Sequence, residues 1–208
     1  MAKIEPARHP TSFRIVHLLM MLAILLLIIT GFYIHNPFLD NGGGFLMILM
    51  RGIHLFSAFI FTASVIFRVI FMFAGRDRDW KAFLPSWNDV LVLPKVAAHY
   101  LHMGDMPRLR KKYNPLQMMA YTAIFLLALF QILSGFAMLS PDGWLSWFNY
   151  GVFGTEYNTR IAHYIITWLF VMFISVHLYL GIRDSFNEMR QMHLIPESGG
   201  KKSAENAD

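Results

Sequence analysis

Four of the nine histidines, His17, His54, His163 and His177, stand inside runs of sequence that otherwise carry almost no charge. An ionisable side chain in such a run is costly and points to function. His163 and His177 are 14 residues apart. On a helix that spacing returns them to nearly one face, about 21 Å apart along the axis. A neutral imidazole nitrogen can serve as an axial ligand to haem iron or as a carrier of protons. Three of the four share a pattern: Arg14-Ile-Val-His17, Arg51-Gly-Ile-His54 and Arg160-Ile-Ala-His163 all read R-x-x-H. An Arg one turn ahead of a ligand lies on the same face and nearer the polar boundary. Haem propionates would need a charge-assisted partner there. Arg51 and Arg160 are the expected propionate contacts; the plainer reading is arginines snorkelling to an interface.

The elements that must position these histidines are membrane spans. The chain is 56 % hydrophobic and only 15 % charged, and long uncharged runs account for the excess. Ile15 to Ile34, Phe45 to Phe73, Leu116 to Leu139 and Ile161 to Ile182 each reach the roughly 20 apolar residues a bilayer requires. In hydrocarbon every backbone amide must be satisfied within its segment, so all four are expected to be helices. The first is too long for the apolar region of a signal peptide, and Gly31-Phe32-Tyr33-Ile34 is no small-residue cleavage site. The expected fold is all-α: an integral membrane four-helix bundle forming one domain over 1–208, with a polar cytoplasmic tail over 186–208. Cysteine is absent, which excludes thiolate-held iron–sulfur clusters, disulfides and covalently attached c-type haem.

Orientation follows from Lys and Arg. Lys3, Arg8 and Arg14 precede the first span, and eight basic residues from Arg76 to Lys112 fill the connection between spans two and three. Arg183, Arg190, Lys201 and Lys202 follow the fourth span. The other two connections have almost none, so both termini and the long basic connection are expected on the cytoplasmic side. The +5 formal charge is thus a topology signal, and no nucleic-acid partner is expected. With alternating span directions, His17 and His177 fall at the inner level, and His54 and His163 at the outer level. Each pair can clamp one flat macrocycle by its two axial nitrogens, as helix-bundle cores do.

The remaining features have simpler readings. Ser86 to Met103 reads as a short amphipathic helix interrupted by Pro94, lying on the bilayer surface, with Ser86 and Asp89 in a capping-box arrangement. Trp144, Trp147, Phe148 and Tyr150 read as an aromatic belt. Gly31, Gly52, Ser57, Ala58, Ser134, Gly135 and Gly181 suit either the bulk of a porphyrin or plain helix packing. His99 and His102 read as interface residues, and His9, His35 and His193 as solvated ones. Asn114 before Pro115 has the residue types of a helix N-cap and first position.

On Phe13-Arg-Ile-Val-His17 with Thr30-Gly31, Arg51-Gly-Ile-His54, Tyr113-Asn-Pro-Leu-Gln117 with Ser134-Gly135, and Ala162-His163 through His177-Leu-Tyr179 to Arg183-Asp184, the chain resembles a known family. It is similar to the b-type cytochrome subunits of membrane-bound nickel–iron hydrogenases and to the related gamma subunits of formate dehydrogenase, across roughly residues 13 to 185. The resemblance implies a di-haem cytochrome b of the bacterial or archaeal cytoplasmic (inner) membrane, with two haems b bound by His17, His54, His163 and His177. It implies as partners a catalytic large subunit and an iron–sulfur small subunit on the periplasmic side. Electrons would pass from them through the outer and then the inner haem to menaquinone or ubiquinone near the cytoplasmic side. Asn114, with Tyr113 and Gln117, is the implied quinone contact; capping alone also explains Asn114. Many hydrogenase cytochromes have His where this chain has Tyr113, whereas formate dehydrogenase subunits can have Tyr. The His-Leu-Tyr and Arg-Asp run favours the hydrogenase group.

The chain is expected to have no catalytic residues of its own beyond quinone reduction within a hydrogen:quinone oxidoreductase. The rivals are the same role for formate dehydrogenase or thiosulfate reductase, a stand-alone b561-type quinol oxidoreductase, a structural anchor, and a histidine-based proton or ion transporter. The transporter reading predicts no chromophore and gives no reason for two histidine levels on matched helices.

Overall fold

The computed structural model describes residues 11–39, 44–74, 86–100, 103–105 and 115–184, without the side chains of 11, 117, 180, 183 and 184. Their regular structure is entirely helical: α1 (Thr11–His35), α2 (Phe45–Ala74), α3 (Trp87–Tyr100), α4 (Pro115–Leu139), a π-helical turn (Trp147–Val152) and α5 (Glu156–Asp184). The basic connection, the 186–208 tail, Tyr113, Asn114, His9, His102 and His193 lie outside the described residues.

Helices α1, α2, α4 and α5 are long and apolar enough to span a bilayer. Their outer faces carry large apolar side chains such as Ile48, Phe56, Leu126 and Met172, each about 60 % exposed or more. A soluble monomer rarely carries continuous apolar surface on that scale, and in a bilayer it faces lipid. The protein is a multi-pass membrane protein. α1 packs along α2 and α4 along α5, the two largest pairings. A central core of Ala23, Phe61, Val65, Ala128 and Phe170 ties them together, with Phe61 and Phe170 edge to face at 6.4 Å. Phe170 lies seven residues after His163 and seven before His177, so this core sits about 10 Å from either histidine along α5.

Local signals set the helix ends. α5 begins at Glu156, five residues before the expected Ile161, because Thr155 caps it: its Oγ1 accepts from the Asn158 N–H at 3.2 Å. Gly154 just ahead has φ +77°, a left-handed turn that favours glycine. In α3 the Asp89 carboxylate accepts from the Ser86 N–H at 2.7 Å and from the Ser86 hydroxyl at 2.6 Å. That is the reach-back half of a capping box, with the hydroxyl turned to the carboxylate. The helix runs on through Pro94, the expected interruption. A proline removes one backbone donor there, and packing against α4 with Val96 fully buried holds the segment helical.

The expected aromatic belt divides. Trp144, Trp147 and Tyr150 are exposed, whereas Phe148 turns inward to pack with Ala137 and Leu145. Asn149 beside it is fully buried, and its Nδ2 donates to the Ala137 carbonyl at 2.8 Å. Ala137 is in the last turn of α4, where carbonyls have no partner within the helix. Asn149→Ala leaves that carbonyl unpaired at a cost of about 1–3 kcal/mol. We expect a melting temperature lower by several degrees in detergent, and an unchanged one would refute the capping role.

Candidate functional site

The pair expected at the inner level is set by two helices, α1 and α5. His17 on α1 and His177 on α5 have ring centroids 6.5 Å apart and planes inclined by 49°. A metal held between two imidazole nitrogens, at roughly 2 Å from each, places the ring centroids about 6 Å apart at any mutual rotation. The spacing therefore suits two imidazoles that would hold one iron between them. Phe173, one turn before His177, stacks on its ring at 5.7 Å and 12°. Arg14, one turn before His17, has its Nε buried without a hydrogen-bond partner. A buried donor in that state suits an anionic group such as a propionate.

The pair expected at the outer level, His54 on α2 and His163 on α5, draws contacts from the other two spans. The Thr30 hydroxyl of α1 lies 2.9 Å from His54 Nδ1, and the Ser134 hydroxyl of α4 lies 2.7 Å from His163 Nδ1. The next residue in each case is glycine. A Cβ on Gly31 would stand 3.4 Å from His54 Cε1, and one on Gly135 would stand 3.6 Å from His163 Cε1. Each ring thus rests against bare backbone with its Nδ1 held by a hydroxyl. The donor set, four imidazoles inside membrane spans, is one that suits b-type haem.

Other expected residues fall in different places. The Arg160 guanidinium is paired with Glu156 at 2.8 Å and is 63 % exposed; Arg51 is exposed. Gln117 lies in the first turn of α4. His35 is exposed but stacks on Tyr164 at 3.8 Å and 12°, and its neighbours line an open cavity of about 340 Å³. His99 Nδ1 meets the Gly104 carbonyl at 3.0 Å. Among the described residues no three His, Cys, Asp or Glu gather as a metal site. Gln131, the polar interruption of the third span, donates to Thr167 Oγ1 at 3.0 Å. Sequence reasoning missed the hydroxyl contacts of Thr30 and Ser134, although the repeated hydroxyl–glycine pair was visible.

Residues 8–193 match the prokaryotic cytochrome b561 family. The chain is 29 % identical over 194 residues to a Cupriavidus necator protein named "Probable Ni/Fe-hydrogenase B-type cytochrome subunit", covering 85 % of this chain and 78 % of that one. It is 27 % identical over 188 residues to the corresponding hydrogenase 1 protein of Escherichia coli K12, covering 82 % and 80 %. An Azotobacter vinelandii relative is 26 % identical over 198 residues, with 85 % and 80 % covered. The chain belongs to the prokaryotic cytochrome b561 family, as a multi-pass membrane subunit that carries electrons on b-type haem.

Proposed function

We propose that this chain is the di-haem b subunit of a hydrogen:quinone oxidoreductase. It passes electrons from the iron–sulfur subunit of a periplasmic-side nickel–iron hydrogenase to quinone in the cytoplasmic membrane of a bacterium or archaeon. The observation that carries this is the approach of two histidines from different spans, His17 and His177, to a ring-centroid distance of 6.5 Å. His17 and His177 would hold the inner haem, and His54 and His163 the outer one. Bound there, haem supplies a one-electron iron couple at each level. Arg14, Arg51 and Arg160 would face the propionates, Arg160 by exchanging its Glu156 partner. Asn114, with Tyr113 and Gln117, would meet menaquinone or ubiquinone beside the inner level.

The hydrogenase partner is supported by the names of the relatives, and the basic inner connection supports cytoplasmic termini. Electrons then move inward while quinone takes its protons from the cytoplasm. Each charge moved works against the membrane potential at about 2.3 kcal/mol per 100 mV. We expect hydrogen-driven quinone reduction by the complex in vesicles to build a potential, positive on the hydrogenase side, read with a voltage-sensitive dye. Electroneutral turnover would rule out this arrangement, and turnover with formate in place of hydrogen would reassign the partner.

A further inference from the structure

We propose that Thr30 and Ser134 are positioning residues for the outer histidines: each hydroxyl accepts the Nδ1 proton of its histidine and leaves Nε2 bare to bind iron. This rests on the reading of His54 and His163 as a haem-binding pair.

The assignment follows from counting protons. Thr30 Oγ1 donates to the Leu26 carbonyl at 2.6 Å, and Ser134 Oγ donates to the Phe130 carbonyl at 2.7 Å. A hydroxyl has one proton. With that proton committed to its own helix, the short contact to Nδ1 closes only if the ring N–H is the donor. The neutral ring then has its lone pair on Nε2.

Back-bonding to a carbonyl one turn earlier is ordinary for hydroxyls in membrane helices. Thr62, Ser64 and Ser175 do it here. Thr30 and Ser134 differ by carrying a histidine as well, and by being followed directly by the glycine on which that histidine rests. The same hydroxyl–glycine seat occurs twice, from α1 to α2 and from α4 to α5. A packing accident would not be expected to repeat with the same ring atoms in both helix pairs.

An acceptor on the distal N–H orients a metal-bound imidazole and raises its basicity. A more basic ligand favours ferric iron, so removing the hydroxyl raises the reduction potential of the outer haem and loosens its hold.

The test uses the purified full-length chain with its haem. Optical redox titrations compare wild type with Thr30→Val, Ser134→Ala and the double variant, and with Thr30→Ser and Ser134→Thr, which keep the hydroxyl. His54→Ala identifies the outer haem. We expect the outer potential to rise in the deletion variants, most in the double, while the inner potential stays and the conservative variants match wild type. Transfer of the outer haem to a soluble scavenger should show an affinity about 10–100-fold weaker. Unmoved potentials in the double variant, or conservative variants that shift as far as the deletions, would overturn the assignment. If His54→Ala removes one haem while the double variant is unmoved, only the positioning role falls. If His54→Ala leaves the haem spectrum intact, the outer pair is wrong and the seat falls with it.

Discussion

On the proposed two-haem arrangement, replacing His54 or His163 by Ala is expected to halve the haem b content of the purified subunit, read by the pyridine haemochrome assay. His17→Ala and His177→Ala are expected to remove the other haem, so the four variants should sort into two spectral classes. The inner class follows from the 6.5 Å ring spacing, since each imidazole would supply one of the two nitrogens that hold the group. The outer class follows from the matched seats of the two other histidines, His54 held by Thr30 and His163 by Ser134. The central core of Phe61 and Phe170 separates the levels, so loss at one should leave the other in place. A haem content unchanged by any of the four, or lost entirely in each, would defeat the two-level arrangement. Size-exclusion profiles would show whether the bundle remains folded.

Leucine at position 31 or 135 is expected to remove the outer haem alone, while alanine at position 135 keeps it. A Cβ at Gly135 meets His163 Cε1 at 3.6 Å, an ordinary contact, and one at Gly31 meets His54 Cε1 at a tighter 3.4 Å. A leucine adds three more carbons beyond a Cβ that already stands in contact with the ring. Overpacking of this kind costs about 1–3 kcal/mol, and swinging the ring away also breaks its Nδ1 contact with the neighbouring hydroxyl. Gly52 supplies the control, because nothing lies within 4 Å of a Cβ built there. Gly52→Ala should keep both haems and gain up to about 1 kcal/mol of helix propensity. Haem content halved in the leucine variants but intact in Gly52→Ala would place the seat at the glycines. Equal loss in all of them would make the effect one of general misfolding.

Much of the architecture was legible because membranes impose simple rules. Four apolar runs of bilayer length had to be helices, and four ionisable side chains inside them stood out by their cost alone. Alternation of span direction then sorted the histidines into two levels without any tertiary information. Boundaries were less legible. α5 starts at a Thr155 cap upstream of the apolar run, since capping depends on a hydroxyl rather than on hydropathy. That earlier start brings Glu156 onto the same helix as Arg160, and their ion pair was not foreseen. Phe148 reads as an interfacial aromatic by composition, yet the π-helical turn directs it into the core beneath Asn149.

Membrane character, the number of spans and the rarity of ionisable groups inside them could be read along the chain, because hydropathy and helical periodicity are local. Which atoms meet across helices depended on packing. Thr30 and Ser134 are 24 and 29 residues from the histidines they touch, a separation with no periodic signature. Whether a small hydroxyl relieves crowding or holds a ring nitrogen depends on helix rotation, and rotation is set by how neighbouring side chains interlock. Packing α1 on α2 and α4 on α5 therefore turned two hydroxyl–glycine pairs into two matched imidazole seats.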